Sequence, residues 1–384
     1  MRLNGAGLLL FLGVLSVVIP VVTLVVWGLL PGPAPVRWGG RVALLLAGQL
    51  AAVTLVAAAA NDYGYFYGSW TGLLRGVTAM VTGVQSDGPV VVTGMARPAV
   101  DGPAPGAVRV VPDPGFSRPA EWRTRGRLET VYVQGPTSQL SAETHVYLPP
   151  EYFQPAYAGA RFPVAEVLTG FPATSLQPVL KLRYPQALLQ QLHHHHARPM
   201  VLVMLRSDLG FSRDTECTDI PGGPQVETYL AQDLPWEVAH TYRVQPTGWG
   251  VVGDSTGGYC AAKIAMTYPY LFRAAVSMSG YFTALSDTAT GSLWGGSQAL
   301  RDLNSPQWRM GHLPAPPVSL LVTTSRDEGG RYGMANSLRF VASARTPTQV
   351  STIVVPHGGH NLTTWIPEVP RVLTWLSQRL PAAG

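Results

Sequence analysis

Lysine is almost missing from this chain. Of 384 residues only Lys181 and Lys263 are lysine, among 27 basic side chains, and the net charge is a modest +5. The arginines are spread thinly, so there is no basic stripe of the kind that tracks a phosphate backbone. Nucleic acid is therefore not an expected partner. Cysteine is equally scarce, at Cys217 and Cys260. That limits the chain to two buried thiols in a reducing compartment, or to one disulfide in an oxidising one. The run His193-His194-His195-His196 invites a metal reading. Consecutive side chains point in different directions, and no Cys, Asp or Glu stands at ligand spacing. A solvated loop is expected there, and no metal or other cofactor is implied.

What the chain does have is two long apolar runs near its N-terminus. Residues 8–30 carry no charge and are long enough to cross a bilayer. That core is too long for a cleaved signal peptide, and no small-x-small site follows it. Residues 42–60 form a second run, softened by Gln49 and several alanines. Two transmembrane helices are expected over 1–60. The short loop between them holds Arg37 and Arg41, against Arg2 at the N-terminus. A cytoplasmic loop places the N-terminus and the long C-terminal part outside the cell membrane. On that side Cys217 and Cys260 are expected to pair.

Over 61–120 the sequence predicts a juxtamembrane segment and a linker. Tyr63, Tyr65, Phe66, Tyr67 and Trp70 suit a membrane interface, and 86–120 is rich in proline and glycine without helical periodicity. From about 121 onwards the pattern alternates. Strands are expected at 128–133, 143–148, 163–168, 200–205, 249–253, 274–278, 318–322 and 351–355, with helices near 177–192, after 255, near 334–343 and near 367–380. The first two strands read as a hairpin forming an antiparallel edge. The rest implies a mostly parallel sheet covered by helices on both faces.

The strand at 249–253 runs into Gly253-Asp254-Ser255-Thr256-Gly257-Gly258 and then into a helical stretch. Strand, sharp glycine turn and helix is the context in which a G-x-S-x-G serine becomes an exposed nucleophile. Such a serine needs a histidine to take its proton and a carboxylate to orient that histidine, in the chain order Ser, acid, His at successive strand ends. After strand 318–322 stand Asp327 and Glu328, and after strand 351–355 stand His357 and His360. Glycines just before His360 let its imidazole swing back over the sheet edge, which favours it over His357. Position alone does not choose between the two acids. The oxyanion hole needs two backbone N–H donors. Thr256 supplies one. The loop Thr169-Gly170-Phe171-Pro172 supplies the other; Pro172 has no N–H, so Phe171 is the candidate.

Taken together, V-Y-L-P-P-E-Y at 146–152, the G-D-S-T-G-G turn, S-M-S-G-Y-F at 277–282 and G-G-H-N at 358–361 resemble the esterase family of α/β-hydrolases. That family includes mycolyltransferases and S-formylglutathione hydrolases. The resemblance covers about 126–380, and the membrane-anchored layout looks like that of esterase-like proteins of high-GC Gram-positive bacteria. It implies an α/β-hydrolase domain with Ser255 as nucleophile and His360 as base. The mycolyltransferase pattern sets a glutamate before two small residues, which matches Glu328-Gly329-Gly330 and makes Glu328 the acid, with Asp327 as the alternative. Many relatives carry His-Gly where this chain has Thr169-Gly170, so any role of that histidine side chain is lost.

The expected function is a serine esterase acting on a small-molecule or lipid ester through an acyl-enzyme. An acyltransferase serving envelope lipids or glycans is the alternative, and a non-catalytic binding protein on the same fold is the third reading. Trp294, Tyr281, Phe282 and Trp365 lie where they could line a pocket, although core packing explains them equally well.

Overall fold

The computed structural model describes residues 6–64, 70, 108–112 and 116–384. The chain divides into two compact units, Met1–Val84 and Gln85–Gly384.

The first unit contains α1 (Ala6–Val26) and α2 (Ala34–Gly64). Leu8 and Leu12 of α1 pack with Ala58, and a Cβ at Gly48 would touch Ile19, so the two helices run antiparallel as a hairpin. Arg41 closes its base by donating from Nη2 to the Trp27 carbonyl at 3.0 Å and lying over the Trp27 and Trp38 rings. Leu10, Val17, Leu24, Leu50 and Val56 point outward, each more than half exposed. Both helices are long and apolar enough to cross a membrane. The interfacial aromatics Tyr65, Phe66 and Tyr67 lie outside the described residues, as does most of 86–120.

The second unit is built on nine strands in the order β1-β2-β3-β5-β4-β6-β7-β8-β9. These are β1 (Val108–Pro112), β2 (Arg127–Gln134), β3 (Ser141–Leu148), β4 (Val164–Thr169), β5 (Val201–Arg206), β6 (Trp249–Asp254), β7 (Phe272–Met278), β8 (Ser319–Ser325) and β9 (Gln349–Val355). Pairing is antiparallel from β1 through β3 to β5, and parallel from β5 to β9. Every residue of β4 and β6 is buried, the pattern of strands covered on both faces. Alternate residues serve two cores. Val164, Leu168, Val203 and Val251 pack with Tyr259 and Ile264 of α4 (Thr256–Thr267) and Phe340 of α5 (Met334–Ala342). Val167, Leu202, Val252 and Val276 pack with Leu188 and Leu192 of α3 (Tyr184–His193) and Val372, Leu373 and Leu376 of α6 (Val369–Arg379). This is the expected α/β-hydrolase architecture of a mostly parallel sheet between helical layers.

Three points differ from the sequence expectation. The helix read over 177–192 is two, Gln177–Leu180 and Tyr184–His193, with Arg183 between them at φ 55°. Pro185 lacks the N–H that a continuing helix requires, so a new helix starts there instead. The second apolar helix extends to Gly64, and the span read as linker up to 120 contains β1. β1 pairs from Val108↔Val133 to Pro112↔Glu129, satisfying backbone groups on the outer side of β2. The β2–β3 hairpin is therefore one strand in from the edge. Pro112 is tolerated because β1 is now that edge.

β4 has β5 on one side and β6 on the other, so the loops leaving their C-terminal ends part at this point. Such a switch point is where doubly wound sheets bind their ligands.

Candidate active site

β6 ends at this switch point, beside β4. Ser255 follows it with φ 54° and ψ −121°, a strained backbone that only its surroundings can hold. Those surroundings are glycine. A Cβ on Gly257 would run into the Leu168 and Thr169 carbonyls, and one on Gly253 would meet the backbone of Gly257. Their absence lets α4 start hard against β4 and β6 and leaves the Ser255 side chain at the sharp turn between strand and helix. The Ser255 N–H is anchored on the Met278 carbonyl of β7 at 2.9 Å.

His360 stands five residues beyond β9, directly after Gly358 and Gly359, and the structure brings its Nε2 to 2.8 Å from Ser255 Oγ. Its Nδ1 lies 3.2 Å from Glu328 Oε1. With Nδ1–H donating to the carboxylate, Nε2 is left unprotonated to accept from the serine hydroxyl. Glu328, three residues beyond β8, is buried. Its Oε2 accepts from the Ser325 N–H at 3.1 Å and from Ser279 Oγ at 3.0 Å. Two donors on one carboxylate oxygen leave Oε1 aimed at the imidazole. The alternative pair stands apart. Asp327 accepts from the Gly358 N–H at 3.1 Å and lies 3.4 Å from His357, both side chains being mostly exposed.

The oxyanion candidates lie in the loop after β4 and in the first turn of α4. The Gly170 N–H is taken by Asp254 Oδ2 at 3.2 Å, and a Cβ on Gly170 would stand 3.0 Å from Ser255 Cβ. Burial pushes Asp254 up to about 6. Phe171 follows, and among the described residues its N–H makes no hydrogen bond. The Thr256 N–H, in the first turn of α4, is likewise without a partner among them. Thr169, the last residue of β4, is buried with its hydroxyl unpaired among the described residues.

Cys217 and Cys260 form a disulfide with Cα atoms 5.9 Å apart, tying the 214–218 loop to α4. Lys263, fully buried, reinforces the tie. Its Nζ donates to the carbonyls of Glu216 and Cys217 and to Asn304, and pairs with Glu227 Oε2 at 3.1 Å. The four histidines of 193–196 are exposed, and among the described residues no cluster of metal-binding side chains exists.

Three contributors carried no sequence signal of their own. Ser279 sits within S-M-S-G-Y-F, yet only the fold turns its hydroxyl onto Glu328. Asp214 lies far from Thr256 in sequence and accepts its hydroxyl proton. The Tyr332 ring lies against the His360 imidazole, centroids 4.0 Å apart. Of the four candidate pocket aromatics, Tyr281, Phe282 and Trp294 are buried in the core. Trp365 is buried too, but it packs edge-on against His360 and donates from Nε1 to Ser279 Oγ at 2.9 Å.

The profile of the Esterase family, described as "Putative esterase", matches residues 138–376, more than half of the chain. The chain belongs to the esterase family. Among curated relatives, the chain is 21% identical over 274 residues to an uncharacterized protein of Corynebacterium glutamicum, covering 67% of this chain and 63% of that one. It is 35% identical over 77 residues to the MPT51/MPB51 antigen of Mycobacterium tuberculosis, covering 20% of this chain and 26% of the antigen. The chain thus spans less than two thirds of the length of these relatives.

Solved structures share its fold. An S-formylglutathione hydrolase from Agrobacterium tumefaciens superposes with TM-score 0.57 at 16% identity, covering 67% of this chain and 97% of that one. FphF, a fluorophosphonate-binding serine hydrolase of Staphylococcus aureus, gives 0.54 at 16%, covering 66% and 98%. MPT51 of Mycobacterium tuberculosis gives 0.51 at 18%, covering 65% and 97%.

Proposed function

We propose that this chain is a membrane-anchored serine esterase that cleaves a carboxylic ester through an acyl-enzyme. The observation that carries the reading is the continuous line of contacts from Ser255 Oγ to His360 Nε2 at 2.8 Å and from His360 Nδ1 to Glu328 Oε1 at 3.2 Å.

Ser255 Oγ attacks the ester carbonyl while its proton passes to His360 Nε2. The carbonyl oxygen gains negative charge and is received by the N–H groups of Thr256 and Phe171. Glu328 holds the imidazole and offsets the positive charge it acquires. As the tetrahedral intermediate collapses, the bond to the leaving alcohol breaks and the Nε2 proton goes to its oxygen. Water then repeats the cycle on the acyl-enzyme, giving up a proton to Nε2 and releasing the acid and Ser255.

The layout we propose is an anchor formed by α1 and α2, a tether leading to β1, and a catalytic domain from β1 onward lying outside the cell membrane. Two apolar helices support the anchor. The disulfide suits an oxidising compartment.

The test is covalent labelling of the full-length protein in detergent with a fluorophosphonate, the chemistry named for the neighbour FphF. Wild type is expected to label and Ser255→Ala not to. Equal labelling of both, or of neither, defeats the reading.

Acyl transfer to an alcohol is a second reading. It is favoured by the sequence resemblance to mycolyltransferases and by two helices apolar enough to cross a membrane, the setting of lipid alcohols. Adding sugar or lipid alcohols and looking for transacylated product separates the two. Faster release of free acid alone supports hydrolysis.

A further inference from the structure

The loop at 214–218 lies along α4, the helix that follows Ser255, and is tied to it at three places. The Thr256 hydroxyl donates to Asp214 Oδ2 at 2.7 Å. Cys260 is bonded to Cys217. Lys263 Nζ donates to the Glu216 and Cys217 carbonyls at 3.0 and 2.8 Å. Successive ties at 256, 260 and 263 have helical spacing, so they share one face of α4. The disulfide and the lysine secure the body of the helix. Its first residue is held by Asp214, and among the described residues the Thr256 hydroxyl makes no other hydrogen bond.

Asp214 is itself fixed. It is buried, its N–H donates to the Ala289 carbonyl at 3.0 Å, and its Oδ1 accepts from the Glu216 N–H at 2.9 Å. Glu216 and Cys217 follow with φ 46° and 48°, left-handed backbone that side chains rarely adopt. Glu216 in turn accepts from the Tyr281 hydroxyl at 2.6 Å and from the Leu285 N–H at 2.9 Å. Asp214 Oδ2 therefore offers a stationary acceptor to the start of α4.

That start matters because the peptide between Ser255 and Thr256 carries one of the two candidate oxyanion donors. Its direction is set by the ψ of Ser255, −121°, in a residue already at φ 54°. Such a conformation relaxes unless its surroundings hold both ends. On one side the Ser255 N–H is anchored on the Met278 carbonyl at 2.9 Å. On the other the anchor is the bond from the Thr256 hydroxyl to Asp214. The second donor loop has a separate tie, from the Gly170 N–H to Asp254 Oδ2 at 3.2 Å.

We propose that Asp214 is a positioning residue, which acts through the Thr256 hydroxyl to keep the Thr256 N–H directed at the oxygen of the tetrahedral intermediate. The inference rests on the serine-esterase reading above. Asp214 touches no substrate, and no bond is made or broken at its carboxyl. The donor it fixes gains its worth only when the carbonyl oxygen turns negative. Loosening that donor thus raises the barrier and leaves substrate binding as it was.

The experiment uses the full-length protein in detergent. A fluorophosphonate endpoint counts the competent sites, and rates on an alkyl ester are expressed per labelled site. Asp214→Ala and Thr256→Val each remove one partner of the bond. Each is expected to lower kcat per site by about tenfold, with KM within about twofold of wild type. Thr256→Ser keeps a hydroxyl and should stay within about threefold of wild type. The double variant with Asp214→Ala and Thr256→Val should lose about tenfold in all, not about a hundredfold, because both changes break the same bond.

Fewer labelled sites with unchanged kcat per site would mean that Asp214 serves stability alone, and overturns the proposal. A hundredfold loss in the double variant overturns it as well, as does a rise in KM that accounts for the whole effect. If Asp214→Ala fails to fold, Thr256→Val against Thr256→Ser still decides, since both leave the 214–218 sequence intact. Equal rates in those two overturn the inference, and a slower valine variant supports it. A wild type that neither cleaves the ester nor takes the label removes the serine-esterase reading, and this inference with it. A labelled, active wild type with unaffected variants removes this inference alone.

Discussion

The Thr256 hydroxyl donates to Asp214 Oδ2 at 2.7 Å, so the residue directly after Ser255 is tied to a buried carboxyl on another loop. Burial pushes Asp214 up to about 7 and its neighbour Glu216 up to about 8. Both acids hold protons in the folded chain that an unfolded chain releases above roughly pH 4. Raised folded values mean that their contribution to stability is complete below that pH and is lost as pH rises through 7 and 8. Thermal melts between pH 5 and 9 should show Tm falling with pH, with a shallower fall for Asp214→Asn. A Tm that climbs over this window contradicts the assignment.

The relay predicts a sharp asymmetry between neighbouring residues. Ser255→Ala and His360→Ala should each lower kcat by about a thousandfold or more, and Glu328→Gln by roughly a hundred- to ten-thousandfold. Asp327→Asn, on an exposed carboxylate paired with exposed His357, should stay within about twofold. Steady-state rates on one activated ester suffice. Comparable losses at 327 and 328 would contradict the assignment of the acid.

Two glycines predict opposite signs. Gly257→Ala drives a methyl into the Leu168 and Thr169 carbonyls, where backbone must move, and should cost about 3 kcal/mol or more. Gly311, within the helix Pro306–His312, has open space where its Cβ would be. Gly311→Ala should stabilise by about 0.5–1 kcal/mol. Denaturant midpoints of the two variants provide the comparison.

The Cys217–Cys260 bridge closes a loop of sequence separation 43, and its removal by Cys217→Ala with Cys260→Ala should cost about 2–4 kcal/mol. Lys263→Met should cost about as much or more, because Glu227 and two buried carbonyls lose their partner. Melts with and without reductant test the first statement: wild type should lose stability on reduction and the double variant should not respond.

Much of this was legible in the chain itself. Parallel strands buried on both faces announce themselves as apolar runs, and the glycines around Ser255 mark a close approach. The order of Ser255, an acid and His360 follows strand ends, which survive errors of a residue or two in element boundaries. The choice between Asp327 and Glu328 was not legible from position, because it depends on which side chain turns inward to the Ser325 N–H and Ser279. β1 was hidden because its few strand-like residues stand among prolines and glycines, and its existence depends on the free side of β2. Tyr332 and Asp214 were invisible for a related reason. Their partners are close in space only, and no local pattern encodes a ring lying over an imidazole.

Ser255 and His360 are 105 residues apart along the chain, and the strand that positions the histidine is the last in the sheet. During synthesis at about 5–20 residues per second, the serine turn precedes its base by roughly 5–20 seconds. Throughout that interval the growing polypeptide carries a serine with nothing to deprotonate it. The site would thus acquire its reactivity only once its sheet is whole.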